Sequence, residues 1–265
     1  MYTLFRLILS WKPNLIISDF EQFSVFVSRF FKIPVIEVEN IDTLSRTQID
    51  LERKDILNYF IAKMICKSFT LGVKKFILMS FFFPKMKYPD NTVMVPPLIR
   101  PDILASKPRK GKHVLVYQTS KSNLELFEML KKTSEEYVIY GFNLSKKDKN
   151  LTYKKFSEKG MVEDMKSARA VMTNGGFGII TEALYLKKPI LSIPVKKQFE
   201  QVLNAKYVDK LGYGMFLRDP DMEGIQLFLD SINKYSKRVQ TYKHDKNRKL
   251  FREINKAIDE ITSVS

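Results

Sequence analysis

The run TNGGFGIITEALYLKKPILSIPVKKQFEQVLNA, at residues 173–205, carries the strongest structural signal in the sequence. A short apolar run at residues 170–172 precedes its glycine-rich start, and apolar side chains then recur at roughly helical spacing over residues 179–186. A second apolar run at residues 189–194 and a further polar loop and helix follow. This alternation predicts an α/β fold with a parallel sheet.

The glycine turn predicts a site for a phosphate group. It comprises Asn174, Gly175, Gly176, Phe177 and Gly178. The amides in the first turn of a helix have no acceptor within the helix, and the helix dipole is positive at that end, so an anion is held there without a charged side chain. Glycine-rich turns also occur for packing reasons alone. The turn therefore indicates a ligand site specifically only when it is taken together with the residues that follow it.

Two polar side chains are spaced so that they could hold the rest of a nucleotide. Glu182 lies about one turn into the helix, where its carboxylate could accept hydrogen bonds from two ribose hydroxyls. Gln201 lies just past the next strand. Because loops at the carboxyl ends of neighbouring parallel strands open into one crevice, the turn, Glu182 and Gln201 are predicted to share a ligand site.

The chain resembles the GT-B glycosyltransferases in an ordered set of residues. That set consists of the glycine turn, Glu182-Ala183-Leu184, Pro189, Phe199-Glu200-Gln201 and Asn204-Ala205. It is similar to the donor-nucleotide signature of the plant and animal UDP-glycosyltransferases and of the N-acetylglucosaminyltransferase that makes lipid II. The resemblance implies two Rossmann-like domains facing a cleft, with a UDP-sugar as the donor substrate.

The resemblance also implies roles for individual residues. Glu182 would hold the ribose, the amides from Gly176 to Ile179 would hold the diphosphate, and Glu200 with Gln201 would contact the donor sugar. The sequence departs from the plant members at one position, since they have a histidine where this chain has Asn174.

Two more segments are implied in donor binding by the same resemblance. The loop Gln118-Thr119-Ser120 follows a predicted strand at residues 113–117 and would approach the diphosphate. Met161 and Val162 would cover the face of the uracil while the backbone pairs with its edge. Each segment also has an explanation without a ligand. The first would cap a turn, and the second would be an ordinary helix start.

The catalytic base is predicted near the amino terminus. Residues 15–18 indicate a buried strand that ends at Asp19. In the plant enzymes an aspartate at this place orients a histidine base that lies earlier in the chain, but no histidine precedes Asp19 here. Asp19 and Glu21 are therefore the candidate bases, and a helix cap or a solvated strand end is the alternative for Asp19.

The resemblance predicts three parts of the chain. Residues 1–97 would form a partial, acceptor-side Rossmann-like domain, residues 98–245 the nucleotide-sugar-binding domain, and residues 246–265 a helix that returns to the first domain. Family members normally have several elements before the strand at residues 15–18, so the first domain is predicted to be incomplete. A truncated reading frame, a partner chain that supplies the missing segment, and a shortened domain are the alternatives.

The net charge of +16 predicts a polyanionic partner, which could be an anionic membrane, a phosphorylated lipid or nucleic acid. No aromatic-basic RNA motif or recognition-helix pattern is present, so a specific nucleic acid is not expected. One cysteine and two distant histidines offer no zinc ligands, and neither a metal nor a cofactor is predicted. With no apolar run of spanning length, we expect a cytoplasmic protein, at most peripheral on the inner face of the membrane.

These observations predict an inverting, metal-independent glycosyltransferase. It would move a sugar from a UDP-sugar to a lipid-linked acceptor, such as a polyisoprenyl phosphate, or to another acceptor. Three alternatives remain at this point: a nucleotide-sugar 2-epimerase, a donor-binding subunit that needs a partner, and a basic nucleic-acid-binding protein.

Overall fold

A computed structural model of the chain describes residues 2–119 and 124–263, apart from the side chains of Tyr2 and Leu4. The chain divides into two compact units by the density of contacts. Unit 1 comprises Met1–Leu98 and Asp245–Ser265, and unit 2 comprises Ile99–His244.

Unit 1 is built on a four-stranded parallel sheet with strand order β1-β2-β3-β4. The strands are β1 (Ile16–Ser18), β2 (Val35–Glu39), β3 (Lys75–Met79) and β4 (Thr92–Val95). The helices are α1 (Tyr2–Trp11), α2 (Gln22–Phe31), α3 (Thr43–Arg46), α4 (Ile56–Phe69), which follows a 3₁₀ turn at Arg53–Asp55, and α11 (Arg248–Thr262).

The two-residue period of the strands gives the sheet of unit 1 a core on each face. On β3, Phe76 and Leu78 pack on one side with Val35 of β2, whereas Ile77 packs on the other side. The second face is covered by α11, through Leu250 and Ala257. The carboxyl-terminal helix is therefore part of the core of unit 1.

Unit 2 contains a seven-stranded sheet in the order β11-β10-β9-β5-β6-β8-β7. Its strands are β5 (Val114–Tyr117), β6 (Tyr137–Tyr140), β7 (Lys146–Asp148), β8 (Leu151–Tyr153), β9 (Ala170–Thr173), β10 (Ile190–Ser192) and β11 (Gly214–Phe216). Its helices are α5 (Pro101–Leu104), α6 (Leu124–Leu130), α7 (Glu158–Ser167), α8 (Phe177–Tyr185), α9 (Phe199–Lys210) and α10 (Met222–Val239).

The strand order of unit 2 reverses between β5 and β9. From β5 the chain builds outward through β6 and β8, and it then returns to β9 on the other side of β5 and continues to β10 and β11. The pairings are parallel except that β7 runs antiparallel to β8. In open parallel sheets, ligands bind at the carboxyl ends of the strands on either side of such a reversal. The loops after β5 and β9 occupy that position.

The sequence further predicts helices over residues 2–11 and 49–71, a strand over residues 76–83, a proline-rich connector from residue 93 and an exposed loop at Lys146, Lys147 and Lys149. Three of these predictions are wrong in extent. The helix expected over residues 49–71 begins only at Ile56, because the chain before it forms an isolated bridge between Thr47 and Met86 and then a 3₁₀ turn. The strand expected over residues 76–83 ends at Met79, where the Ser80 hydroxyl bonds to the Phe82 carbonyl oxygen at 2.5 Å and bends the chain. The proline-rich connector expected from residue 93 starts later, since residues 92–95 form β4.

The lysine-rich segment at residues 146–149 forms a strand, although an exposed loop was predicted. β7 pairs with β8 as a hairpin at the edge of the sheet, and Lys149 turns the chain with a φ of 55°. Charged side chains are common on edge strands, where they block pairing with other molecules. Within the described residues, no helix combines the length and the apolar character that crossing a bilayer requires.

Candidate functional site

The junction between β9 and α8 is formed by the glycine turn. β9 ends at Thr173 and α8 begins at Phe177, with Gly176 as its N-cap. Gly175 has a φ of +86°, and a Cβ added there would lie 2.7 Å from the carbonyl oxygen of Gln201. The turn therefore requires glycine at position 175 for both its backbone conformation and the close approach of α9.

The amino-terminal end of α8 is sterically open. Gly176 has no side chain with which to cap the helix, and a Cβ built on it would meet only the Asn174 Oδ1, at 3.8 Å, among the described residues. A Cβ built on Gly178 would have no described atom within 4 Å. First-turn amides of a helix point outward and carry partial positive charge. The space in front of them can admit an anion.

The loop after β5 lies beside the glycine turn. The side-chain amide of Asn174 donates to the Thr119 hydroxyl at 3.3 Å, so the two loops at the strand reversal are in contact. Gln118 is 1% exposed, and neither its amide nitrogen nor its amide oxygen has a hydrogen-bond partner among the described residues. A buried amide without partners costs free energy, and a ligand in this crevice would supply them. Ser120, the third residue predicted in this loop, lies outside the described residues.

Helix α9 closes the other side of the turn. The side-chain amide of Asn204, on α9, donates to the Gly175 carbonyl oxygen at 3.1 Å and so holds the backbone of the turn. The Gln201 Oε1 accepts from the backbone amide of Val195 at 3.0 Å, which holds the loop between β10 and α9. Glu200 precedes Gln201 in the first turn of α9 and is half-buried. The structure thus brings Thr119, Asn174, the glycines and Gln201 together.

Glu182 lies in the middle of α8 and is paired with Arg100. Its Oε1 is 2.7 Å from the arginine Nε, and its Oε2 accepts from the second guanidinium nitrogen at 2.9 Å. Burial raises the pKa of Glu182, and the hydrogen bond and charge of Arg100 offset part of that rise. Each carboxylate oxygen has two lone pairs, so the pair with Arg100 leaves acceptor capacity for a hydroxyl. The sequence did not identify Arg100, which follows the proline-rich connector.

Met161 and Val162 lie on the buried face of α7. Their side chains are 1% and 6% exposed, respectively. The helix begins at an N-cap, Ser157, whose hydroxyl accepts from the Gly160 amide at 3.3 Å. In the structure these two side chains pack into the interior, and their predicted contact with a uracil ring stays a prediction.

The two candidate bases in unit 1 differ in their surroundings. Asp19 follows β1 and is exposed, although partial burial of its carboxylate raises its pKa. Glu21 is the N-cap of α2, where its carboxylate accepts from the amides of Phe23 at 3.0 Å and Ser24 at 2.6 Å. Partial burial acts to raise the pKa of Glu21, but these hydrogen bonds outweigh it and the pKa is lowered. A carboxylate engaged in this way is a poor general base.

A buried carboxylate that the sequence did not identify lies next to Asp19. Glu37, on β2, accepts from the Ser18 hydroxyl at 3.2 Å and from the backbone amide of Phe20. Burial, together with repulsion from Asp42 and Asp19, raises the pKa of Glu37 to about 7. Such a group exchanges a proton near neutral pH. An acidic residue inside an otherwise apolar strand is the signal that would have found it.

Two further carboxylates, Glu39 and Asp42, are buried behind Glu37. The Glu39 Oε2 accepts from the Asp42 amide at 2.9 Å, and the Ser45 hydroxyl donates to the Asp42 carboxylate. Burial raises the pKa of both groups. Across residues 2–119 and 124–263, no group of three or more His, Cys, Asp and Glu side chains is arranged to hold a metal ion.

Curated relatives match part of the chain. The chain is 28% identical over 205 residues to the UDP-N-acetylglucosamine--N-acetylmuramyl-(pentapeptide) pyrophosphoryl-undecaprenol N-acetylglucosamine transferase of Clostridium tetani, across 67% of this chain and 57% of that protein. It is 38% identical over 81 residues to the protein of the same name from Clostridium kluyveri, across 29% of this chain and 23% of that protein. The chain therefore spans less than two thirds of the length of these relatives.

Solved structures confirm the predicted GT-B fold. The UDP-glucose: anthocyanidin 3-O-glucosyltransferase in complex with UDP matches 97% of this chain and 78% of its own, with a TM-score of 0.71 at 14% identity. The calicheamicin glycosyltransferase matches 96% of this chain and 76% of its own, with a TM-score of 0.61 at 16% identity. A sequence model described as Glycosyl transferase family 1 matches residues 1–233, which is most of the chain. The chain belongs to glycosyl transferase family 1.

Proposed function

We propose that this protein transfers a sugar from a UDP-sugar to an acceptor hydroxyl with inversion at the anomeric carbon and without a metal ion. In a single displacement, a base takes the proton of the acceptor hydroxyl, the acceptor oxygen bonds to the anomeric carbon, and UDP leaves. The negative charge that develops on the diphosphate would be stabilised by the first-turn amides of α8.

The observation that carries this proposal is the open amino-terminal end of α8. The end has a glycine N-cap, and a Cβ built on Gly178 in the first turn would have no described atom within 4 Å outside the helix's own backbone. A diphosphate placed there would receive backbone hydrogen bonds and the helix dipole together. Gln118, which is buried without partners among the described residues, would then find an acceptor or donor in the ligand.

In the same proposal Glu182 holds the ribose, with Arg100 as its positioning residue. Arg100 binds both carboxylate oxygens and fixes the direction in which they face. Its hydrogen bond and charge also offset part of the rise that burial causes in the pKa of Glu182. Glu200 and Gln201 remain the proposed contacts to the donor sugar, and Met161 and Val162 those to the uracil.

On the acceptor side we assign the base to Asp19, with Glu37 as its neighbour. We do not assign the general base to Glu21, because its carboxylate caps α2. Glu37, on β2, accepts from the amide of Phe20, which follows Asp19 in the loop after β1, and its pKa of about 7 would let it take up the proton that Asp19 removes.

We further propose a lipid-linked acceptor. The relatives from Clostridium are named for transfer to a pyrophosphoryl-undecaprenol compound. Unit 1 exposes large apolar side chains, including Trp11 at 76% and Met64 at 66% exposed, and the net charge of +16 favours a phosphorylated lipid. A partner chain that covers part of this apolar surface would be compatible with the same acceptor.

Thermal unfolding in the presence of UDP tests donor binding. At a UDP concentration a hundredfold above its dissociation constant, the folded state should gain about 2.7 kcal/mol. Glu182→Ala should weaken UDP binding at least about tenfold, because two charge-assisted hydrogen bonds to the ribose are lost. The matched control is Glu135→Ala, which removes a similar half-buried ion pair, that with Arg169, away from the turn. Equal effects of the two variants would contradict the assignment of Glu182.

Product analysis tests the reaction. With UDP-N-acetylglucosamine and a sugar linked to a polyprenyl diphosphate, which supplies the acceptor hydroxyl, we expect UDP release that depends on the acceptor and persists in EDTA. The anomeric configuration of the product, determined by NMR, should be inverted. An epimerised UDP-sugar formed without any acceptor would support the 2-epimerase instead, and loss of activity in EDTA would contradict the metal-independent mechanism.

A further inference from the structure

Unit 2 contains a second cavity, at the opposite end of its sheet from the glycine turn. It has a volume of about 380 Å³. Ala168 and Arg169 line it just before β9 begins, and Lys187 and Lys188 line it just before β10 begins. Because the glycine turn follows β9 at its other end, the length of the strand, roughly 10–13 Å, separates the two places.

The wall of this cavity is strongly basic. Five of its lining residues are cationic, namely Arg109, Lys110, Arg169, Lys187 and Lys188, and none of the described residues that line it is acidic. Arg169 is paired with Glu135, and Lys187 donates to the Tyr242 carbonyl oxygen. Asn233 and Ser236 of α10, and Gln240 at its C-cap, also line the cavity and are neutral and polar. The cavity therefore concentrates positive charge beside hydrogen-bonding groups.

The basic segment KPRKGK at residues 107–112 is fixed in place at this cavity. The Arg109 amide donates to the Lys166 carbonyl oxygen at 2.8 Å. A Cβ built on Gly111 would lie 1.6 Å from the Ser167 carbonyl oxygen, so the segment packs directly against the end of α7. Arg109 and Lys110 are thus held at the rim by their backbone.

Lys188 forms the floor of the cavity and is only 4% exposed. Its ammonium donates to the carbonyl oxygens of Arg109 at 2.7 Å and Ala168 at 2.8 Å, so its bonds go to neutral groups rather than to a carboxylate. Burial lowers the pKa of Lys188 to about 8. A buried ammonium in a cavity lined by four other cations is stabilised by a nearby anion.

We infer that this cavity is a binding site for a small, multiply charged phosphate compound, separate from the donor site. A volume of about 380 Å³ is at the small end of the range for ligand pockets, about 300–1,000 Å³, which fits a diphosphate or a small phosphorylated metabolite rather than a polymer. The lysine and arginine groups at the rim and floor are the donors that bind phosphate oxygens. This inference does not rest on the proposed function.

The test is a titration of the full chain with inorganic pyrophosphate, followed by amide NMR and calorimetry. Pyrophosphate bound at the basic cavity should shift the amide signals of residues 168–169 and 187–188, whereas binding at the donor turn would shift those of residues 174–179. The variant Arg109→Gln/Lys110→Gln changes two exposed side chains and should weaken pyrophosphate binding at the cavity at least tenfold.

The matched control is Lys147→Gln/Lys155→Gln, which removes the same charge from exposed positions elsewhere in unit 2. It should change the affinity less than twofold. Amide shifts confined to residues 174–179, or an equal loss of affinity in the two double variants, would overturn the inference. The first outcome would assign pyrophosphate to the donor turn alone, and the second would show attraction to the net charge without a specific site.

Discussion

The two units each contain a helix that begins directly after a parallel strand, and the two helix starts are built in opposite ways. In unit 1, α2 follows β1 and is capped by Glu21, whose carboxylate accepts from the amides of Phe23 and Ser24. In unit 2, α8 follows β9 and has Gly176 as its N-cap, which offers no side chain. The same element order thus gives one helix end that is capped by a side chain and one that has no capping side chain.

The charge around these two helix starts follows the same division. The loop after β1 carries Asp19 and Glu21 and bonds to the buried Glu37, so negative charge collects there. The loop after β9 consists of Asn174, Gly175 and Gly176, with no ionisable side chain. An anion is repelled at the first place and attracted at the second. If the donor binds as proposed, the missing capping residue leaves one helix dipole for its diphosphate.

The largest effect is expected from Gly175→Ala. A φ of +86° is costly for alanine, and the added Cβ would lie 2.7 Å from the Gln201 carbonyl oxygen. Together these should lower the free energy of unfolding by about 3 kcal/mol and abolish stabilisation by UDP. Gly176→Ala is the control, because its φ of −61° suits any residue and the nearest described atom to its Cβ is 3.8 Å away. Urea unfolding followed by circular dichroism measures the unfolding free energies of both variants. Equal losses of unfolding free energy in the two variants would contradict the requirement for glycine at position 175.

The second-largest effect on stability is expected at Glu37, the buried carboxylate on β2 in unit 1. The pKa of Glu37 is raised from 4.5 to about 7, so the folded state binds its proton more tightly than the unfolded chain. Its contribution to stability is therefore complete below about pH 4.5 and is lost as the pH rises through 7. Glutamine does not ionise. The Glu37→Gln variant should therefore lose about 2 kcal/mol less unfolding free energy than the wild type as the pH rises, after allowance for solvent screening.

Unfolding free energies at pH 5 and pH 8 check this prediction. The variant should be more stable than the wild type at pH 8 and nearly equal to it at pH 5. If the two proteins lose the same free energy between these pH values, Glu37 does not hold a raised pKa in the folded state.

Much of unit 2 could be predicted from sequence because its signals are local. The strands before and after the glycine turn are short apolar runs, and α8 follows from the spacing of its apolar residues. The observed β9, α8, β10 and α9 lie where these patterns indicate. In unit 1, α1 occupies the predicted residues 2–11.

What the sequence could not predict depends on residues that are distant along the chain. Arg100 meets Glu182 across 82 positions, and its own surroundings in the sequence indicate only a connector. The pKa of Glu37 depends on burial in the centre of a sheet and on Asp19 and Asp42, which no local pattern reveals. The lysines of β7 give it a composition typical of a loop. It nevertheless forms a strand, because a strand at the edge of a sheet needs no apolar face.

A smaller effect is expected when the cap of unit 1 is removed. Glu21→Ala leaves the Phe23 and Ser24 amides without their acceptor and should cost about 1 kcal/mol at pH 7. Since the pKa of Glu21 is lowered in the folded state, its contribution is present above the unfolded pKa and is lost as the pH falls through the folded one. The difference between variant and wild type should therefore shrink toward pH 3, which is opposite in sign to Glu37. A difference that stays constant down to pH 3 would contradict a charged cap.

The smallest effect on stability comes from giving unit 2 the cap that unit 1 already has. In Gly176→Asp the new carboxylate can bond to the first-turn amides of α8, because the backbone at this position is extended and open. Without ligand, the variant should be more stable by about 0.5 kcal/mol. Stabilisation by UDP should be lost, since the carboxylate repels the diphosphate and occupies its donors. Gly176→Asn fills the same space without charge and should keep part of the UDP response. If Gly176→Asp bound UDP as well as the wild type, the donor phosphates would lie elsewhere, and the contrast between the two helix starts would have no bearing on donor binding.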